Sequence, residues 1–177
     1  MTDVPGDDKD WTWVLQRACP ECGFDAGALD VARIPRLVRD NAASWQDVLV
    51  RPTVRQRPRP DVWSPLEYGC HVRDVFVLFE QRLTLMLTED DPQFANWDQD
   101  VTAVTERYGE QDPLAVAKEL EVAADSVARA FAAVDGDQWD RPGRRSDGAR
   151  FTVRTFGQYF MHDPVHHLWD VSEHTIT

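Results

Sequence analysis

Apolar residues recur at intervals of three and four along most of this chain, a spacing that places them on one face of an α-helix. The first such stretch runs from about residue 30 to residue 50, and Pro35 puts its true start near Ile34, because proline suits the first turn of a helix. Few segments alternate with a period of two. The pattern therefore predicts an all-α domain.

The second predicted helix has a clear opening signal. Ser64 is placed as the N-cap, Pro65 takes the first helical position, and Glu67 follows three residues after the cap, which together form a capping box. The apolar residues that follow, to about Leu87, cover more than one narrow stripe. We therefore predict a central helix, packed on more than one side.

Two further helices complete the pattern. Asp112, followed by Pro113, caps a third helix that ends near Gly136, and a fourth runs from about Thr152 to Ser172. Residues 88–112 are predicted to form a long acidic loop with one short helix. Four helices of this length with apolar stripes predict a four-helix bundle over residues 30–177, preceded by an irregular N-terminal arm, residues 1–29.

Four of the five histidines fall within two of these helices. His162 and His166 are four residues apart, so both imidazoles lie on one helix face and can reach one metal ion. His71, on the second helix, is a third candidate, although any one of these histidines taken alone is more typical of an ordinary polar residue. Three histidines that leave one coordination position open are typical of a catalytic metal. We predict a metal site made of His71, His162 and His166.

Acidic side chains nearby are candidates for orienting these ligands, because a metal-bound histidine commonly donates its second N–H to a carboxylate. Asp163 and Asp170 are predicted to do so, and Asp170 is favoured because it lies one turn beyond His166. His167 points about 100° away from His166 and is predicted to be a packing or surface residue. His174 is placed beyond the bundle.

The arm carries a C-x-x-C pair, Cys19 and Cys22, in a predicted turn. Three interpretations stay open: an inert turn, a weak or shared metal site completed by another subunit or a distant histidine, and a redox dithiol. The redox interpretation normally requires a strand before the pair, and the pattern predicts none. Three cysteines are too few for a disulfide framework, which fits a reducing compartment.

Charge narrows the classes of partner. The formal net charge of −12 repels phosphate backbones, so a nucleic-acid partner is not expected. No apolar run approaches the roughly 18 residues that span a bilayer, and the acidic start of the chain is unlike a signal peptide, so we expect a cytoplasmic protein without a membrane partner. The second helix has more apolar positions than one packed face needs, so some of them could pack against a second copy of the chain. A homodimer is therefore possible, and a monomer is not excluded.

Several motifs in this order resemble those of the DinB-like, or YfiT-like, superfamily of bacterial metal-binding four-helix bundles. The resemblance rests on the following segments: residues 63–67 with His71, the connector at residues 139–152, and the His162-x-x-x-His166-His167 segment. It covers nearly the whole chain from about Asp30. The N-terminal arm and the long acidic loop depart from the core family and resemble an actinobacterial branch of it.

The resemblance implies a bundle in which His71, His162 and His166 bind a divalent ion, zinc or nickel. It also implies a metal-dependent enzyme that activates a low-molecular-weight thiol, as a mycothiol-type S-transferase or isomerase, with a small-molecule thiol or electrophile as partner. Two alternatives stay open. One is a metal-dependent hydrolase, in which water takes the place of the thiol, and the other is a non-enzymatic, metal-stabilised stress-response bundle.

Overall fold

Four long α-helices lie where the apolar stripes predict them, which confirms the all-α four-helix bundle. The computed structural model describes residues 10–173, apart from the side chain of Glu173. The helices within this range are α1 (Ile34–Leu49), α2 (Pro65–Thr88), α3 (Gln99–Thr105), α4 (Pro113–Ala132) and α5 (Val153–Glu173). The short α3 is the one expected in the acidic loop.

The four long helices are not arranged in chain order around the bundle. α1 packs against α4 and α5, α2 packs against the same two helices, and α1 and α2 share far less contact. The order around the bundle is therefore α1, α4, α2, α5, so that α2 and α5, which carry the histidines of interest, are neighbours. Aromatic rings fill the space between them: Phe79 of α2 stacks on Phe156 and Phe160 of α5, with centroids 4.8 and 4.9 Å apart.

The predicted capping box at the start of α2 is present. The backbone N–H of Glu67 donates to Ser64 Oγ at 3.3 Å, and the backbone N–H of Ser64 donates to Glu67 Oε2 at 2.8 Å. Arg57 Nε also donates to Glu67 Oε2 at 2.9 Å. Both capping residues are buried, so these bonds satisfy groups that water does not reach.

Replacing Ser64 by alanine is expected to lower the free energy of unfolding by about 1–2 kcal/mol, because a buried helix N-terminus loses its acceptor. Urea denaturation of the two proteins measures this difference. Ser44→Ala is the matched control, since Ser44 is exposed in the middle of α1 and its change is expected to stay within about 0.5 kcal/mol. Equal losses in the two variants would contradict the role of the cap.

A small sheet, absent from the sequence-based prediction, joins the acidic loop to the connector before α5. Its strands are β1 (Gln93–Phe94), β2 (Pro142–Arg145) and β3 (Arg150–Thr152). β1 pairs in parallel with β2, and β2 pairs antiparallel with β3. The hairpin holds Arg145 beside Tyr159 of α5, whose hydroxyl accepts from Arg145 Nη1 at 3.1 Å.

The described part of the N-terminal arm lies on α5. It begins with a 3₁₀ helix, Trp11–Leu15, and Gln158 of α5 donates to the carbonyls of Gly27 and Leu29 at 3.1 and 3.0 Å. A Cβ atom on Gly27 would lie 2.4 Å from the carbonyl oxygen of Leu15, so the arm folds back on itself more closely than a side chain allows. The division into an arm, residues 1–29, and a bundle, residues 30–177, stays a prediction.

Candidate metal centres

The rotation of α5 about its axis decides which of its polar side chains face the bundle. Three of its buried core residues recur at spacings of three and four: Val153, Phe156 and Phe160. Asp163 and His167 continue the same spacing and therefore point between the helices. His162 and His166 are each displaced by about 100° from that stripe and face the N-terminal arm. The last helix thus presents two different pairs of candidate ligands on two faces.

On the inner face, His71 of α2 meets Asp163 and His167 of α5, and their ligand atoms all lie within 4.8 Å of one another. Asp163 Oδ1 is 3.3 Å from His71 Nε2 and 3.8 Å from His167 Nε2. Ligands about 2.0–2.2 Å from a tetrahedral ion are separated by about 3.4 Å. The two separations from Asp163 Oδ1 are therefore close to those that a single ion of this kind requires. We call this cluster the open group.

Hydrogen bonding within the described residues also fits a missing cation. Asp163 Oδ1 is buried without a hydrogen-bond partner in residues 10–173. Orphaned buried polar atoms are rare, because burial without a partner costs roughly 1–3 kcal/mol. An ion held by Asp163 would satisfy the carboxylate oxygen. The residues present therefore fit a divalent metal.

Several contacts hold the open group in place. Asp170 Oδ2 is 2.9 Å from His167 Nδ1, which leaves Nε2 of that ring toward Asp163. Trp97 stacks face to face on His71, with centroids 5.3 Å apart and planes 8° apart. A histidine held by a carboxylate on its far nitrogen is the usual support of a metal ligand.

Asp163 is ionised throughout the ordinary pH range. Burial opposes its negative charge, but the neighbouring imidazoles of His71 and His167 outweigh that effect, and the pKa of Asp163 falls to about 2. The open group therefore presents one formal negative charge and two imidazoles. This donor set matches that of open metal sites with two histidines and one carboxylate.

A second cluster lies on the outer face of α5, where Cys19 and Cys22 of the arm approach His162 and His166. Their ligand atoms also lie within 4.8 Å of one another, and Cys19 Sγ is 3.6 Å from His166 Nδ1. Cys19, His162 and His166 are buried, and Cys22 is partly buried. The two cysteines and these two histidines thus meet although they are far apart in the sequence. We call this cluster the arm group.

Burial favours the uncharged forms of the two imidazoles and of the Cys22 thiol in the arm group. It lowers the pKa of His162 to about 4, and it lowers the pKa of His166 although Asp170 counteracts the effect. Burial likewise raises the pKa of the Cys22 thiol to about 11, against a backbone hydrogen bond from Phe24. The indole of Trp11 covers both imidazoles, with centroids 5.6 and 5.9 Å away. Neutral imidazoles at neutral pH are in the protonation state that binds metals.

A cavity of about 510 Å³ opens beside the open group. Asp163 and His167 form part of its wall together with His162 and His166 of the arm group, and Arg82, Arg145 and Trp97 form another part. This volume lies within the range of small-molecule sites. Asp163 and His167 of the open group are therefore accessible to a ligand of moderate size, whereas His71 is fully buried behind them.

The structure does not bring His71, His162 and His166, which the sequence predicts as one site, into one group. It places His71 with Asp163 and His167, and it places His162 and His166 with the two cysteines. Asp170 lies where a supporting carboxylate was expected, 3.8 Å from His166 Nε2, and it is closer still to His167. Which set holds a metal stays a prediction. His174 lies outside the described residues.

Sequence reasoning placed His167 among packing or surface residues and gave Asp163 only a supporting role. The signal that finds them both is the core stripe of α5, since Asp163 and His167 are also four residues apart and in register with Phe156 and Phe160. The pair in register with the core, Asp163 and His167, is the pair that faces α2.

A four-helix bundle with clusters of metal-ligating side chains at its last helix defines a class of helical metal-binding proteins. The sequence model of the DinB superfamily matches residues 36–171, and the chain belongs to that superfamily. This confirms the resemblance found in the sequence. No match was found among the curated proteins.

Among solved structures, the chain is similar to YfiT from Bacillus subtilis, which is described as a probable metal-dependent hydrolase with an unusual four-helix bundle topology. The TM-score is 0.70 at 17% sequence identity, and the match covers 81% of this chain and 86% of YfiT. At that identity the likeness shows the fold. None of the helices within residues 10–173 has the length and apolar character needed to cross a membrane.

Proposed function

We propose that this chain is a metal-dependent enzyme that activates a low-molecular-weight thiol, of the mycothiol type, for S-transfer or isomerisation of an electrophilic substrate. The observation that carries the proposal is the position of the open group. Its two histidines and one carboxylate leave coordination positions free, and Asp163 and His167 face a cavity of about 510 Å³. A closed or buried set of ligands would not admit a reactant.

The residues of the open group have separate tasks. His71, Asp163 and His167 would hold a divalent ion, zinc or nickel, and when bound the ion lowers the pKa of a thiol or water that reaches it. Asp170 fixes the ring of His167 through the 2.9 Å contact to Nδ1. Trp97 fixes His71 by stacking and shields that side of the group from solvent.

Two arginines in the cavity wall indicate an anionic substrate. Arg82 is buried, donates to the carbonyl of Ala95 at 2.7 Å, and has no carboxylate within ion-pair distance among the described side chains. Burial lowers its pKa to about 10, so the guanidinium stays charged at neutral pH. Arg145 is paired with Asp147 at 2.6 Å. A carboxylate or phosphate on the electrophile would supply the negative partner that the Arg82 guanidinium lacks among the described side chains.

The segment that leads into α3, together with the first residues of α3, offers the other kind of contact that the proposal needs. Asn96 and Gln99 line the cavity with amide side chains, beside the carboxylates of Asp98 and Asp100. Amides and carboxylates hydrogen-bond to hydroxyl groups. This composition suits mycothiol, a sugar-containing thiol, and supports it as the cosubstrate.

The experiment compares metal-free protein with protein reloaded with zinc or nickel. Each sample receives mycothiol, bacillithiol or cysteine together with an anionic electrophile such as maleylpyruvate, and loss of free thiol and formation of product are followed. We expect turnover that requires both metal and thiol, and that is lost in His71→Ala. Absence of thiol binding to the metal-loaded protein in calorimetry, together with absence of turnover, would sink the proposal.

A metal-dependent hydrolase is the second candidate, because YfiT, which shares the fold, is described as a probable enzyme of that kind. The same reloaded samples are then given ester, amide and phosphoester substrates without thiol. Turnover that needs metal but no thiol would favour the hydrolase. A large fall in melting temperature on chelation, with no turnover of any substrate, would instead favour a metal that only stabilises the bundle.

A further inference from the structure

We propose that Cys19, Cys22, His162 and His166 form a second and closed metal site, which takes zinc and fixes the N-terminal arm to α5. The site differs from the open group in its ligands and its role, although His162 and His166 border the same cavity as Asp163 and His167. It does not depend on the function proposed above, because it leaves no position for a reactant.

The donor set points to zinc. Two cysteine sulfurs and two histidine nitrogens are the ligands of structural tetrahedral zinc sites, and the spacings C-x₂-C and H-x₃-H are those seen in them. Thiolate ligands disfavour magnesium and calcium, which prefer oxygen. Here the pairs come from the arm and from the last helix, so binding joins two distant parts of the chain.

The four ligand atoms lie within 4.8 Å of one another, and the distance between Cys19 and His166 agrees with a shared ion. A tetrahedral zinc ion about 2.3 Å from sulfur and about 2.0–2.1 Å from nitrogen separates the two atoms by about 3.6 Å. Cys19 Sγ and His166 Nδ1 are 3.6 Å apart. His162 contributes a buried Nε2 that has no hydrogen-bond partner in the described part of the chain. A buried ring nitrogen without a partner, on a residue of this cluster, is a second and independent observation that metal binding would explain.

The far side of His166 has the support that a metal-bound imidazole normally has. Its Nδ1 faces Cys19, and its Nε2 lies 3.2 Å from Glu21 Oε2 and 3.8 Å from Asp170 Oδ1. A carboxylate on the second nitrogen fixes the tautomer with the lone pair on Nδ1, toward the sulfur atoms. Glu21 lies within the C-x-x-C turn itself, so the arm supplies both a ligand pair and this support.

The turn that carries the cysteines is closed by the backbone before any metal binds. Cys19 N–H donates to the Phe24 carbonyl, and Gly23 N–H donates to the Cys19 carbonyl, both at 2.9 Å. Gly23 has φ of +74°, a conformation that a residue with a side chain would adopt only with strain. This geometry brings Cys19 and Cys22 to the same side of the turn, facing α5.

The test uses the full chain with any affinity tag removed, reduced, stripped of metal and reloaded with cobalt(II). A thiolate bound to cobalt gives charge-transfer absorption in the near ultraviolet, whereas the open group has no sulfur. We expect this band in the parent and in His71→Ala, and its loss in Cys22→Ala. Cys70→Ala is the matched control, because Cys70 is a buried thiol near Tyr108 and Gln111, outside both groups.

Zinc content gives a second readout that does not depend on activity. The parent and Cys70→Ala are expected to hold about two equivalents, and Cys22→Ala and His71→Ala about one each. A cobalt-loaded parent without the band would overturn the proposal even if no variant folded. So would a band that persists in Cys22→Ala, or thiols that take up no metal after full reduction. Loss of turnover in His71→Ala with the band retained separates this site from the proposed function.

Discussion

Replacing Asp163 by asparagine is expected to lower the metal affinity of the open group, and with it kcat/KM of the metal-dependent reaction, by about 100-fold or more. The change keeps the shape of the side chain but removes the single formal negative charge among the three ligands. Asp163 is about one-third exposed, so we expect the variant to fold. Metal titration and steady-state kinetics on the same samples measure both effects.

Two further variants make the result specific. Asp125→Asn changes a carboxylate that pairs with Arg39 at 3.0 Å on the surface of α1 and α4, and it should leave both quantities unchanged. Asp170→Asn weakens the support of His167, and the longer contact to His166, without removing a ligand of the open group, and should give an intermediate loss of about 10–100-fold. If Asp163→Asn binds metal as the parent does while His162→Ala abolishes turnover, the set His71, His162 and His166 is the working site instead.

The helices could be predicted from the sequence because their signals are local. The box of Ser64 and Glu67 fixes the start of α2, and Asp112 with Pro113 fixes the start of α4, through bonds within a few residues of the chain. The short sheet could not be predicted in the same way. β1 is two residues long, and it exists because Gln93 and Phe94 meet Arg144 and Arg145 from a distant connector.

The sequence could not show which polar side chains of α5 meet His71, for a related reason. Helical spacing shows that residues 162 and 166, and equally residues 163 and 167, share a face, but it does not show which face turns toward α2. That rotation is set by the burial of Phe156 and Phe160, a tertiary effect. The partners of Cys19 and Cys22 depend on how the arm returns to α5, which no local pattern encodes.

The core rings and two of the candidate ligands lie on the same stripe of α5, so the packing of the rings also fixes the position of the ligands. Phe160 is fully buried and packs on three other rings: Phe76, Phe79 and Phe131, at 5.9, 4.9 and 5.6 Å. Its ring fills the space immediately below Asp163, one turn away. If a smaller residue replaced Phe160, α5 could shift into the cavity left by the ring. The candidate ligands Asp163 and His167, which follow on the same helix, would then move with it.

Phe160→Ala is therefore expected to lower the free energy of unfolding by about 3–5 kcal/mol, from lost apolar burial and the cavity left behind. This is a large fraction of the roughly 5–15 kcal/mol of a typical domain. Denaturant unfolding of the metal-free protein isolates this effect, because a bound ion would add its own stabilisation. Val122→Ala, at a position 63% exposed on α4, should stay within about 0.5 kcal/mol. Equal losses of unfolding free energy in the two variants would contradict this prediction. The aromatic contacts between α2, α4 and α5 would then not fix the position of α5, and the rotation of α5 that separates the two candidate centres would need another cause.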